Sequence, residues 1–166
     1  MKLIPTTLLL IIKDGKILLA RKARGFATGK LNGVGGKQEK GETIYQTMIR
    51  ETQEEISVTP KDYEMVGVIE FFEWNKGHEE KDIMHIFIAH DFDGVPTKSD
   101  EMDPMWFDVD NIPYHDMFPD DRTWLPRVLA GEKLYGTFAF DENFNLLHHE
   151  LHSCTAEELK TKVVEI

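Results

Sequence analysis

Three glutamates, Glu51, Glu54 and Glu55, stand together directly after Arg50. On a helix running from Thr43 to Glu55, the spacings i, i+3 and i+4 put all three carboxylates on one side over about one turn. Like charges this close repel, and a helix gains nothing from them alone. A bound cation removes the conflict, and an all-oxygen carboxylate set suits Mg²⁺, or Mn²⁺, better than zinc. Arg50 is spaced to pair with Glu54 at i+4 and hold that carboxylate in place. The plainer reading is a solvated acidic helix face, which is what most glutamate-rich runs are.

The elements that must position these acids can be read around them. Ile44 and Met48 recur at i, i+4 with Tyr45 and Ile49 beside them, so one helix face is apolar. Glu42 and Thr43 match the needs of a helix start, and the helix must stop before Thr59-Pro60. Upstream, Asn32-Gly33-Val34-Gly35-Gly36 places three glycines in four residues. Such a loop lets the backbone approach a ligand closely or take positive φ. Running into an acid-bearing helix, it can offer a backbone carbonyl, that of Gly36, beside the carboxylates.

The stretch Gly36 to Val58 resembles the Nudix box, G-x5-E-x7-R-E-U-x-E-E-x-G-U, with U a bulky aliphatic residue. Gly36, Glu42, Arg50, Glu51, Glu54, Glu55 and Val58 fall in register. Thr52 stands where an aliphatic is usual and Ser57 where glycine is usual. The second puts a Cβ at an αL helix end, a cost of about 1 kcal/mol. Neither departure touches a carboxylate. The resemblance implies an α/β (α+β) fold, the Nudix α/β/α sandwich, in which a mixed β-sheet is flanked by helices.

Phe118-Pro119-Asp120-Asp121 is the second constellation. The two acids can cap the helix that follows. Alternatively, an aromatic ring stacks on a purine while the carboxyls read its edge. Two acids this close rarely ionise together, so one would stay protonated and donate while the other accepts. Lys22 to Gly36 and Ser99 to Trp124 are similar to the branch of the Nudix family, related to MutT, that hydrolyses oxidised purine nucleoside triphosphates. That resemblance runs from about Thr6 to Leu151. It implies that Asn32, Asp120 and Asp121 contact the base, and that Thr7, Lys22 and Phe26 line the nucleoside pocket. Phe118 joins them as the stacking ring, and Trp124, which closes the matching stretch, is counted as a candidate substrate-binding residue although it also reads as core, like Trp106. It further implies that Glu101 approaches the metal held by Glu51, Glu54, Glu55 and the Gly36 carbonyl. Glu54, Glu55 and Glu101 are the candidate general bases. Phe118 and Leu31 stand where that branch carries tryptophan.

The whole chain bounds these readings. Its 166 residues fit one domain, 41% hydrophobic and 10% aromatic. We expect that domain over residues 1–152, with a tail and short helix over 153–166. A net charge of −11 with pI near 5.0 argues against a general grip on nucleic acid or anionic membrane. Lone Cys154 excludes an internal disulfide and fits a reducing, cytoplasmic compartment. The run MKLIPTTLLLII is weakly signal-like but reads as a buried strand, and no segment reaches the length of a membrane span. The expected partner is a small nucleotide, and the chain is expected to be a monomer.

In chain order, Thr6–Ile12 and Lys16–Arg21 form a hairpin over Asp14-Gly15, and Lys22–Lys30 is a basic loop. Glu64–Phe72 pairs with Asp82–Asp91 across a polar loop, Trp74–Glu80. Met105–Phe107 is a short strand, Asp110–Met117 a turn or short helix, and Asp120–Ala130 a second long helix ended by Gly131. Lys133–Phe140 and Leu146–His152 form a last hairpin. His148, His149 and His152 resemble a metal cluster, but in a strand His148 and His152 lie roughly 13 Å apart, too far to share an ion. The reaction implied is hydrolysis of an oxidised purine nucleoside triphosphate to monophosphate and pyrophosphate. The rivals are a Nudix enzyme for another nucleotide, or a Nudix module that binds without turnover.

Overall fold

A computed structural model describes residues 1–74 and 80–166. The strands are β1 (Lys2–Lys13), β2 (Lys16–Lys22), β3 (Leu31–Asn32), β4 (Thr59–Glu73), β5 (Glu80–Asp93), β6 (Met102–Asp108), β7 (Lys133–Phe140) and β8 (Leu146–Cys154). The helices described are α1 (Ile44–Ile56), α2 (Asp121–Leu129) and α3 (Ala156–Lys160), and Tyr114–Asp116 is a 3₁₀ turn. All eight strands share one sheet in the order β3-β2-β1-β5-β4-β7-β8, with β6 paired to β2. The pairs β1–β5 and β4–β7 are parallel and the others antiparallel, so the sheet is mixed, as expected.

The aliphatic run of β1 is buried on both faces, as central strands between two helical layers must be. Its side chains alternate. Leu8 and Leu10 join the core under α2, with Ile86, Ile88, Trp124, Leu125 and Phe138. Leu9 and Ile11 join the core under α1, with Ile44, Met48, Ile56 and Phe87. The sheet is thus the middle layer of an α/β/α sandwich, and period two decides which residues face which site.

Helix α1 begins with a full capping box: Gln46 N–H donates to Thr43 Oγ1 at 3.1 Å, and Thr43 N–H donates to Gln46 Oε1 at 2.8 Å. Thr52, where an aliphatic residue was the norm, is fully buried and donates its hydroxyl to the Met48 carbonyl at 2.8 Å, so its polarity is satisfied. Ser57 ends the helix at φ 62°, in the left-handed region. Ser57→Gly is therefore expected to stabilise the fold by about 1 kcal/mol, read as a rise in Tm.

Several expectations change in detail. Helix α2 is shorter than Asp120–Ala130, and Asp120 precedes it with helical φ and no side-chain cap. β4 starts five residues earlier than expected, at Thr59 rather than Glu64, and β3 had no periodicity to announce it. Trp106 is 38% exposed instead of core: β6 lies on the outer side of β2, and the ring sits beside Phe92. The loop expected at Trp74–Glu80 falls on 75–79, outside the described residues, and Glu80 already opens β5. The terminal segment packs into the domain. The expected boundary at 152 falls inside β8, Leu159 is buried under α1's core, and Glu165 accepts the Ile44 N–H at 2.9 Å. The short helix expected within 153–166 is Ala156–Lys160.

Candidate active site

Arg50 organises the acidic face of α1. Its Nε and Nη2 donate to Glu42, Nη1 donates to Glu51 at 2.9 Å and to Glu54 at 3.2 Å, and Nη2 also reaches the Lys37 carbonyl at 3.1 Å. The expected i,i+4 pair is present as one arm of this larger network. Hydrogen bonding to Arg50, helped by Thr47, holds the Glu42 carboxyl down at about 2.

Glu55 points inward at the end of the glycine loop and accepts the Gly35 N–H at 3.0 Å. It is 5% exposed. Burial lifts its carboxyl to about 8; the Gly35 bond opposes that lift, and the charges of Glu51 and Glu101 add to it. Burial also raises Glu51, against the pull of Arg50. Glu101 sits across the groove at the start of β6, paired with Arg24 at 3.1 Å. Glu54 is the solvent-facing member, its side chain 59% exposed.

The glycines act by close approach rather than by unusual φ. None of Gly33, Gly35 or Gly36 has positive φ. A Cβ on Gly35 would lie 1.9 Å from the Thr7 carbonyl oxygen, and one on Gly36 would lie 2.5 Å from the Glu51 carboxylate. The Gly36 carbonyl accepts the Thr7 N–H at 2.9 Å, which leaves its second lone pair.

This arrangement fits a hard cation. Its donors are all oxygen, two of its carboxyls are disfavoured as bare anions by burial, and Gly36 leaves open the space beside Glu51. Among the described residues no three His, Cys, Asp or Glu side chains converge on a single ion position. Arg50 draws Glu51 and Glu54 together while Glu55 is turned to Gly35, so a divalent ion would have to draw the third carboxylate toward the other two. The histidines of β8 are exposed strand residues; His149 stacks on Phe138 and His152 on Tyr135.

Two adjoining cavities extend from this point. The smaller, about 380 Å³, is walled by Thr7, Lys22, Arg24, Gly36, Glu55 and Glu101. The larger, about 550 Å³, is walled by Phe26, Phe118, Asp120, Asp121, Phe140 and Phe144, among others. Asn32, Leu8 and Met84 border both. The expected nucleoside set is therefore divided. Phe26, Asn32, Phe118, Asp120 and Asp121 lie on the larger cavity, whereas Thr7 and Lys22 lie on the smaller one beside Glu55. Alternation along β1 explains Thr7: Thr6 faces the larger cavity with Leu8, and Thr7 faces α1. Trp124 lines neither cavity. It is fully buried and donates Nε1–H to Asp120 Oδ2 at 2.7 Å, which makes it a support beneath the acid pair.

Asp120 does not cap α2 through its side chain; its Oδ2 accepts from Trp124. Asp121 accepts the Phe118 N–H at 3.0 Å. Burial raises Asp120 to about 6 despite the Trp124 bond, and burial plus the charge of Asp120 raises Asp121 well above the ordinary carboxylate range. Both shifts favour keeping a proton on the pair. Folding thus retains a proton that the unfolded chain releases, so stability falls as pH rises from about 4 through the folded-state pKa. Asp121→Asn keeps an acceptor for Phe118 and removes the conflict. It is expected to raise Tm at neutral pH and to flatten the pH dependence of Tm.

Phe71, Phe72, Phe140, Phe144, Asp82 and Met84 also wall the larger cavity and were not anticipated. Asp82 and Met84 share a face of β5 at period two, the one signal the sequence offered. The others come from β4, β7 and the β7–β8 turn, far from the motifs.

The sequence matches the family model of the NUDIX domain over residues 2–128. It is 42% identical over 145 residues to the oxidized purine nucleoside triphosphate hydrolase of Danio rerio and 41% identical to that of Mus musculus, in each case across 87% of this chain and 92% of the relative. Among solved structures, the mutator MutT protein of Bacillus halodurans superposes with a TM-score of 0.79 at 28% identity, over 89% of this chain and 97% of that one. The acid-bearing helix, the glycine approach and the sandwich that joins them are in place, and the chain belongs to the Nudix family.

Proposed function

We propose that this Nudix enzyme hydrolyses oxidised purine nucleoside triphosphates, such as 8-oxo-dGTP and 2-hydroxy-dATP, to the monophosphate and pyrophosphate, and so clears them from the nucleotide pool. The observation that carries this reading is a pair of adjoining cavities with different chemistries: one with carboxylates along its wall, the other with a close acid pair walled by aromatic rings. A protonated and an ionised carboxyl offer a donor and an acceptor side by side, which suits the altered edge of an oxidised purine. The names of the zebrafish and mouse relatives support the same substrate class.

Nudix hydrolases in general use divalent metal ions, and here Glu51, Glu54, Glu55, the Gly36 carbonyl and Glu101 would hold Mg²⁺ or Mn²⁺. Bound there, the ion would neutralise phosphate oxygens and favour ionisation of the attacking water. Arg50 fixes Glu51 and Glu54 at the groove. Lys22 and Arg24, on the same cavity as Glu55, supply positive charge for the triphosphate in a chain of net charge −11. Asn32, which borders both cavities, would contact the base. Attack is expected at the β-phosphorus, with Glu54, Glu55 or Glu101 accepting the proton. Among the described residues no helix is long and apolar enough to cross a membrane; we take the working form to be a cytoplasmic monomer.

The test is pyrophosphate release with Mg²⁺ on 8-oxo-dGTP, 2-hydroxy-dATP, dGTP and dATP, compared as kcat/KM. A large preference for the oxidised purines supports the reading. Equal or negligible rates on all four refute the substrate assignment and leave the Nudix chemistry in search of another nucleotide.

A further inference from the structure

The β7–β8 turn carries a residue whose place in a hairpin is hard to explain by the turn alone. Phe144 has φ 66°, in the left-handed region that bulky residues avoid. Its neighbours Asn143 and Asn145 are of a type that takes this conformation more readily, yet the phenylalanine occupies it. The turn holds it there firmly. Asp141 accepts Phe144 N–H through its carbonyl at 3.1 Å, and its carboxylate accepts Asn143 N–H at 2.9 Å and Asn145 N–H at 2.8 Å.

The ring reached in this way is not a surface ornament. It stacks on Phe140 at 4.8 Å and 22°, and meets Phe118 at 5.6 Å and Phe26 at 5.3 Å. Phe26 belongs to the loop between β2 and β3, at one end of the sheet order, and Phe144 to the turn between β7 and β8, at the other. Both rings line the larger cavity, so it is bordered from opposite ends of the sheet. Phe144 nevertheless remains 36% exposed and lines that cavity, so part of its surface is offered to whatever enters.

A backbone held in a disfavoured region to bring an aromatic ring against a polar-floored cavity points to a binding role. We propose that Phe144 is a base-contacting residue of this protein, supplying an aromatic wall that sets how tightly a nucleobase is held. The proposal rests on reading the larger cavity as the base site. Asp120, Asp121 and Asn32 then read the edge of the base, while Phe144 with Phe118 meets its face. Because the ring touches the base and not the phosphates, it acts on binding and leaves the chemical step alone.

The experiment compares the wild type with Phe144→Gly, Phe144→Leu and Phe144→Tyr. Glycine accepts positive φ freely, so Phe144→Gly removes the ring without straining the turn. The readouts are kcat and KM for the best-hydrolysed triphosphate, the Kd of 8-oxo-dGMP in metal-free titration, the inhibition constant of inorganic pyrophosphate, and Tm. The glycine and leucine variants are expected to raise KM and Kd about tenfold, with kcat and the pyrophosphate constant changed less than about twofold and the tyrosine variant close to wild type. An unchanged KM and Kd in Phe144→Gly overturns the proposal. So does a joint rise of KM and the pyrophosphate constant with a falling Tm, the signature of a merely structural ring. If the wild type prefers a different triphosphate, the oxidised-purine reading falls while the same comparison, made on that triphosphate and its monophosphate, still decides Phe144. A wild type that binds no nucleoside monophosphate overturns both.

Discussion

Glu54→Gln is expected to lower kcat by about two to four orders of magnitude, the range for removing a catalytic carboxylate, while Tm stays within about 2 °C of the wild type. The structure separates the two effects. The Glu54 side chain is 59% exposed and accepts one arm of Arg50 at 3.2 Å. Exposed pairs of this kind contribute little to stability, typically less than about 1 kcal/mol. Glutamine keeps the shape and an acceptor for Arg50 but loses the charge. The measurement is pyrophosphate release at saturating Mg²⁺ with a melting curve on the same sample. Turnover equal to the wild type would remove Glu54 from both the ligand set and the candidate bases. Glu55→Gln makes a sharper companion: the amide still accepts the Gly35 N–H, and the desolvated carboxyl is gone, so lost turnover should come with an unchanged or higher Tm.

The largest expected loss of stability is at Arg50. Its guanidinium joins Glu42, Glu51 and Glu54 to the Lys37 carbonyl, with only 22% of its own side chain exposed. Arg50→Ala leaves Glu42 and Glu51, 18% and 15% exposed, facing one another without a cation. Removing one partner of a fully buried pair costs about 3–5 kcal/mol; with this much solvent access we expect about 2–3 kcal/mol. Arg50→Lys should recover only part, because an ammonium cannot fork between three carboxylates. The pH profile gives a second signature. Glu42 is held at about 2 in the fold by its bond to Arg50. A depressed carboxyl stabilises above its unfolded pKa, near 4.5, and that stability is lost as pH falls through the folded value. The wild type should therefore lose Tm between about pH 4.5 and 2, and Arg50→Ala should lose less there. A parallel acid profile in the two proteins would show that Arg50 does not hold Glu42.

Both residues illustrate why the acidic helix was legible. Spacing along one helix is local, so i, i+3 and i+4 suffice to place Glu51, Glu54, Glu55 and Arg50 on one side, and a capping threonine with an αL end at Ser57 frames them. The paired acids Asp120 and Asp121 were legible for a similar reason: adjacency alone predicts that one proton is shared. The aliphatic run of β1 announced a buried central strand, and alternation within it announced two faces.

Tertiary structure decided what no local pattern encodes. Thr7 and Thr6 are neighbours, but only the pairing of β1 inside the sheet shows which faces the glutamates and which the larger cavity. Trp124 and Asp120 form one bonded unit, so a residue counted with the pocket is its foundation. Gly35 and Gly36 are glycines because the β1 backbone and the Glu51 carboxylate press against them, and that is a contact between segments rather than a turn. Phe26 and Phe144, over a hundred residues apart in the chain, meet at the larger cavity because the two ends of the sheet bring their loops together. Sequence by itself determined the chemistry carried on single elements and the class of fold needed to support it. The walls of the larger cavity belong to five strands, helix α2 and three connections, and which side chains share a cavity is set only when the sheet has closed its order and each strand has taken its register.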